Sequence, residues 1–425
     1  MEGPPSKNNL TIEVYQMVEN FHKLSDSDKF VRLNALKSLA AAVKSGELKS
    51  DENKGGISHH IYTTYSFSPY TPSKAAFMGY MSGLETIGII DRDSVSGAKE
   101  FLAACDMLGI AATFGAESLV KFDSTLLKDA QLNCEEQPSL GFCVLHGIPH
   151  QSIDRFTGYF EYYAEKRTER LKKMAEKYNE LLTEYGLTLD FEKDVSSLAT
   201  VSDGGVLTEE HLLLAVANKI LERYDKGNDT IEFLLGELEL ELTDDRKKYL
   251  KDTFNPGYEL DMVDVLRQDL LPMWIDADEE CPDVKEFVKI AKETGAILAY
   301  SYTGTEDVSA EELLSVLKGL GFNGITYQPS KLSSEQLEEI KKLCVRYDLM
   351  QISGEYVNRP RQSFVQENIS EDLKDTSWAI IGHEKAASVN EEFGMFSKKI
   401  IGKFPTLKER IDYFSSLAKK CQAAK

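Results

Sequence analysis

Two blocks of alternating strand-like and helical runs, separated by a purely helical stretch from 151 to 270, constrain this chain most. In the first block, 57–65 is strand-like, 72–81 reads as a helix with Thr71 as N-cap, and 86–90 as a strand. A helix over 96–108 and a strand over 111–114 follow. This β-α-β-α-β order implies parallel strands joined by crossover helices. The stretch 151–270 then carries charged helical periodicity, as in FEYYAEKRTERLKKMAEKYNELL and HLLLAVANKILERY. The second block restores the rhythm with helices over 284–294, 309–320 and 334–347 and strands over 296–302, 324–327 and 350–353. The helical stretch thus interrupts one α/β unit. Residues 11–45 read as one or two amphipathic helices, and 407–424 as a final helix.

The formal net charge of −21 over 425 residues repels polyanions. No basic footprint for nucleic acid is present, and docking on an anionic membrane is equally disfavoured. One local cationic pocket can still take a small anion. The six cysteines are scattered without a Cys-x-x-Cys pair, as expected of free thiols in a reducing compartment. The opening MEGPPSKNNL has no apolar signal-peptide core, and no run is long enough to span a bilayer. The expectation is a cytoplasmic protein with no nucleic-acid or membrane partner.

Four of the seven histidines cluster as His59, His60, His146 and His150. Around them stand His60-Ile61-Tyr62-Thr63-Thr64-Tyr65-Ser66, then Ile90-Asp91-Arg92-Asp93-Ser94-Val95-Ser96-Gly97, then Gly115-Ala116-Glu117. In order and spacing this resembles the PHP (polymerase and histidinol phosphatase) family, with its His-x-His-Thr, Thr-Asp-His-Asp and Gly-x-Glu motifs. Ala299-Tyr300-Ser301 and Gly354-Glu355-Tyr356-Val357-Asn358 extend the likeness more weakly, so that it covers about 57–150 and 280–365.

The resemblance implies a distorted seven-stranded TIM-like (β/α) barrel with an all-helical insertion, its site at the C-terminal strand ends. The expected parts are a helical segment over 1–50, barrel over 55–150, insertion over 151–272, barrel over 273–404 and a C-terminal helix over 405–425. The chemistry it implies is phosphoester hydrolysis by two or three divalent metals that activate water and neutralise phosphoryl oxygens. Of the implied ligand and catalytic set, His60, Asp91 and Glu117 stand in place, with His146 or Cys143 at the fourth motif.

The other positions depart from the family. The second histidine is Tyr62, a group that rarely ligates zinc or manganese. Asp-His has become Asp91-Arg92, the Ala-His-Pro histidine is Tyr300, and the last Asp-x-His is Tyr356-x-Asn358. Arginine has no lone pair to donate, and its fixed charge repels a divalent ion. The expectation is therefore none or one divalent ion (zinc, manganese or iron) rather than a full cluster. Arg92 is expected to reach Glu117 and take the metal's electrostatic place. With Tyr62, Tyr300, Asn358 and Arg361 it would bind a small phosphorylated or carboxylated molecule. Arg359 is a further rim candidate. Cys143, His211, His383 and the acidic turn Asp276–Cys281 are read as structural. Three functions stay open: a phosphoesterase with an altered site, a non-catalytic anion binder, and a protein-interaction scaffold of unnamed partner.

Overall fold

The computed structural model describes residues 7–52, 55–267, 273–366 and 369–424, with side chains from residue 14 onward. The expected end of the helical stretch at 272 lies outside the described residues.

Eight strands form one sheet: β1 Gly56–Ile61, β2 Leu84–Arg92, β3 Ala111–Lys121, β4 Leu140–His146, β5 Ile297–Tyr302, β6 Gly324–Tyr327, β7 Met350–Ser353 and β8 Tyr356–Val357. Their order is β7-β6-β5-β4-β3-β2-β1-β8. All neighbours are parallel except β4, which runs antiparallel to both β3 and β5. The segment between β3 and β4 carries no helix to cross over the sheet, so the chain turns straight back. Gly115 permits the close approach of that pair, since a Cβ there would lie 1.9 Å from the Leu145 carbonyl oxygen. The edge strands β7 and β8 are separated only by Gly354 and Glu355 along the chain. The sheet therefore curls until its two edges meet, a mixed α/β arrangement consistent with a TIM-like barrel. β1 and β6 are buried at every residue, as strands covered on both faces are.

Helices α1 Lys7–Lys23 and α2 Lys29–Ser45 precede the sheet, and α3 Pro72–Met81 and α4 Ala98–Leu108 cross between its first strands. The Thr71 hydroxyl accepts from the Lys74 amide at 3.2 Å and starts α3 where the sequence places it. A buried Arg32–Glu100 pair ties α2 to α4 with two bonds, at 2.8 and 2.5 Å. Glu100 also accepts from the Ser73 amide and hydroxyl of α3.

Then come α5 Ile153–Leu182, α6 Glu209–Arg223, α7 Asn228–Gly236, α8 Asp244–Lys251 and α9 Tyr258–Leu266. Their apolar faces make a second core around Leu171, Met174, Leu212, Val216, Leu234 and Met262, apart from the core under the sheet. The helices α10 Val284–Thr294, α11 Ala310–Leu320 and α12 Ser334–Arg346 flank the later strands.

Helix α13 Glu371–Val389 is one the sequence pattern does not announce. It is buried around most of its circumference, so no polar stripe marks it. It packs at the N-terminal halves of β2 and β3, where Ser377 meets Thr86 at 2.7 Å and Glu384 accepts from the Phe114 amide at 3.1 Å. Two further helices, α14 Lys398–Lys403 and α15 Leu407–Ala423, complete that end. Among the described residues no helix is long and apolar enough to cross a membrane.

The sheet and the second core are joined by a buried chain of charge. Asp93, at the end of β2, pairs with Arg167 of α5. Arg167 and Arg170 share Glu280, at 3.1 and 2.6 Å. Arg170 also pairs with Glu209 of α6, which meets Arg92 of β2 at 2.8 Å. Three arginines thus face three carboxylates, all buried. Removing one member leaves the buried network with one uncompensated charge, at a cost of about 3–5 kcal/mol. Glu280→Gln is therefore expected to lower the unfolding free energy by about that amount in urea melts. A change within experimental error would show the network to be energetically idle.

Candidate active site

Successive residues of an extended strand alternate faces, so His60 and Tyr62 share one. Tyr62 lies just past β1 but stays on the ladder, its amide donating to Val357 of β8 at 3.0 Å. On the neighbouring strands Arg92 stands in register with Glu117. All four side chains open into a cavity of about 750 Å³ at the C-terminal strand ends.

The Tyr62 hydroxyl donates to Glu117 Oε1 at 2.9 Å and lies 3.2 Å from His60 Nε2. His60 Nε2 is also 3.5 Å from Glu117 Oε2. Burial, then the neighbouring Glu117, raises the Tyr62 pKa, so the phenol keeps its proton. That single proton goes to Glu117, which leaves the phenol oxygen to accept from His60 Nε2–H. His60 Nδ1 is buried and without a hydrogen-bond partner among the described residues.

Arg92 does not pair with Glu117 as the sequence suggested. Its Nη1 donates to Glu209, and its guanidinium lies 5.3 Å from the Phe142 ring centre. Attraction by Glu209 and Asp93 outweighs burial and raises its pKa, so the charge is permanent. Its Nε has no hydrogen-bond partner among the described residues. Glu117 takes its hydrogen bond from Tyr62 instead.

Three other expected residues lie off the cavity wall. Asp91 points the other way from Arg92 and accepts from the Thr63 amide at 2.7 Å, Thr63 Oγ1 at 2.6 Å and Ser66 Oγ at 2.7 Å. Burial raises its pKa, against the pull of those donors. Its work is to shape the turn after β1. His146 is bonded to Thr326 Oγ1 at 2.9 Å, and burial holds its pKa well below the usual value. Tyr300 is fully buried against Phe122, its hydroxyl toward Glu306 at 3.3 Å. The cavity is met by Ser301, its neighbour on the opposite face. Cys143 is likewise buried, with its thiol pKa pushed up by burial. Among the described residues no group of three or more His, Cys, Asp and Glu side chains is arranged to hold a metal ion.

Asn358, Arg359 and Arg361 reach the cavity from the segment after β8. The helical stretch supplies Arg246, Tyr249, Asp261, Asp264 and Arg267, which sequence reasoning missed. Their helices read as solvated faces, with no local signal of a shared cavity. Counted over the described residues, six arginine and lysine side chains line the cavity against four carboxylates.

Comparison with known proteins bears on the fold. No family model matches the chain, and no curated protein matches its sequence. Among the solved structures that share the fold are two of described activity. One is a candidate metal-dependent phosphoesterase from Bifidobacterium adolescentis, at TM-score 0.52 and 15% identity, covering 76% of this chain and 95% of that one. The other is an amidohydrolase from Chromobacterium violaceum with bound sulfate and no metal, at TM-score 0.51 and 16% identity, covering 75% and 93%. The chain thus shares its fold with these two structures.

The helix that presents Glu209 depends on a neutral imidazole. His211 Nδ1 accepts from the Thr208 amide at 3.1 Å, capping α6. Burial pushes the His211 pKa down to about 4, and those of His59 and His383 to about 3 and about 4. Unfolded, each would titrate near ~6.5. Below that pH the unfolded chain takes up protons that the fold refuses, so stability is full above pH ~6.5 and falls on acidification. Each histidine contributes a slope of about 1.4 kcal/mol per pH unit down to its folded pKa. His211→Asn keeps an acceptor for Thr208 and is expected to make the fall between pH 6.5 and 5 shallower in urea melts. An unchanged slope would contradict the assignment.

Proposed function

We propose that this protein binds a small phosphorylated or otherwise anionic molecule in this cavity, without a multi-metal cluster. The scaffold on this reading is a distorted seven-stranded barrel in which β7 and β8 count as one kinked strand. The 151–272 stretch is an insertion that roofs the mouth. No disulfide joins the cysteines among the described residues, which supports a reducing compartment such as the cytoplasm.

The observation that carries the reading is Arg92. Glu209 holds it from behind through Nη1, and Glu209 is not on the cavity wall. The Nε–Nη2 edge is the fork with which arginine grips two oxygens of a phosphate or carboxylate. Nε itself is unpartnered among the described residues and closed to solvent, so an anion in the cavity would reach it only after a small shift of the side chain.

The donor set does not fit two or three ions. Asp91 spends its oxygens on Thr63 and Ser66, His146 is bonded to Thr326, and the Tyr62 hydroxyl bridges His60 and Glu117. A permanent cation at Arg92 adds repulsion. The sulfate held without metal by the C. violaceum protein is a precedent for a tetrahedral anion on this fold.

Thermal-shift measurements on chelator-treated protein, against phosphomonoesters and carboxylates, test the reading. A specific anion at a hundred times its Kd is expected to stabilise the fold by about 2.7 kcal/mol with chelator present. Arg92→Lys keeps the charge beside Glu209 but loses the fork, and should weaken that anion by about tenfold or more. The reading fails if no anion stabilises the chelated protein. It also fails if zinc, manganese or iron binds in a cluster and restores phosphoesterase activity that His60→Ala abolishes.

A further inference from the structure

The rim of the cavity repeats one arrangement twice. Arg359 donates from Nε and Nη2 to a single oxygen of Asp264, at 3.2 and 3.0 Å. Arg361 grips Asp261 with both oxygens, Nε at 3.1 and 3.3 Å and Nη2 at 2.9 Å. The arginines flank Pro360 on the segment after β8, and the aspartates lie three residues apart on α9. Each guanidinium also lies against an aromatic ring, Arg359 over Phe67 at 4.9 Å and Arg361 over Tyr249 at 4.1 Å. All six side chains line the cavity.

These pairs differ in kind from the Arg92 network. One member of each pair is exposed, Asp264 at 47% and Arg361 at 40%, while Arg359 and Asp261 are 13% and 15% exposed; the network carboxylates Glu209 and Glu280 are only 3% and 1% exposed. Half-exposed pairs such as these are screened by solvent and contribute less than the buried network. The aromatic ring under each guanidinium is a second support that remains when the carboxylate leaves. An arginine so held keeps its place for an incoming anion.

Resting on the anion-binding reading of the cavity, we propose that Arg359 and Arg361 form a second anion subsite. In the free protein Asp264 and Asp261 mask it. The class of ligand is a small molecule with two separated anionic groups, one on Arg92 and one at the rim. The second group displaces the aspartates from the arginines, so the carboxylates act as an internal competitor that sets the threshold for binding. No covalent step is involved. A ligand with one anionic group reaches Arg92 and leaves the rim pairs closed. Because the aspartates stand on α9 and the arginines on the segment after β8, exchange also releases the helical roof from the rim.

Titration calorimetry of the chelator-treated full chain, with inorganic phosphate and with 1,4-butanediol bisphosphate, tests this. Asp261→Asn with Asp264→Asn removes the competing charge in an isosteric form. It is expected to tighten the bisphosphate by about three- to tenfold. Arg359→Gln with Arg361→Gln should reduce the bisphosphate to the affinity that the same variant has for phosphate. If the doubly substituted aspartate variant melts early by circular dichroism, Asp264→Asn against Arg359→Gln carries the same comparison. A wild type that binds phosphate, with asparagine variants that hold the bisphosphate no tighter, overturns the masked subsite and leaves the Arg92 reading standing. Failure of every form to bind either compound overturns both.

Discussion

The buried chain of Asp93, Arg167, Glu280, Arg170, Glu209 and Arg92 is the constraint on which the molecule's arrangement depends. Hydrophobic burial draws the sheet and the helical stretch together but is non-directional. The charges are directional. Each arginine offers a planar fork, and each carboxylate must be met by one, since an unmatched charge in that interior is costly. Two rings cover what the carboxylates leave bare, with Arg170 4.4 Å from the Trp274 ring centre and Arg92 5.3 Å from that of Phe142. A well-packed apolar contact would supply similar stability. What it would not supply is a guanidinium held at the end of β2 on the cavity wall. The network's contribution is therefore geometric: it fixes where the helices sit and how Arg92 is presented.

That presentation gives the cavity wall a fixed positive charge at the end of β2. A divalent ion and an arginine both put positive charge where an anion's oxygens arrive. Arg92 brings its own counter-charge, Glu209, from a helix 117 positions away. Glu117 is satisfied by a neutral donor, Tyr62. Tyr62 fills the space between His60 and Glu117, and its proton meets the carboxylate.

Most of the fold was legible in the sequence because its signals are local. Thr71, Ser309 and Ser333 cap helices where they stand, and apolar runs mark the strands. The β3–β4 reversal was hidden because it depends on a missing crossover helix. Helix α13 was hidden because a helix buried on most sides loses its periodicity. The site was half legible. His60, Tyr62, Glu117, Arg92, Asn358 and Arg361 do meet in one cavity. Tyr300 and Asp91 fail by strand parity, since one residue's shift sends a side chain to the opposite face. Ser301 and Arg92 face inward in their stead. The partner of Arg92 was illegible in principle, because Glu209 and Glu280 look like ordinary solvated acids until the fold buries them.

The net charge of −21 and the cationic wall of the cavity are not in conflict. At physiological ionic strength the screening length is about 8 Å, so an anion inside the cavity responds to the arginines beside it and little to the distant surface. An approaching anion still meets the outer field, which slows association without setting the final affinity. The consequence is selection by size. A small ligand carries all its charge past the mouth and into contact with Arg92. A polyanion leaves most of its charge outside, against an acidic surface, and gains only one or two inner contacts. The same composition that argues against nucleic acid therefore favours a compact anion, provided the cavity's cations are fixed in place, and burial of the Arg92–Glu209 pair fixes the innermost of them.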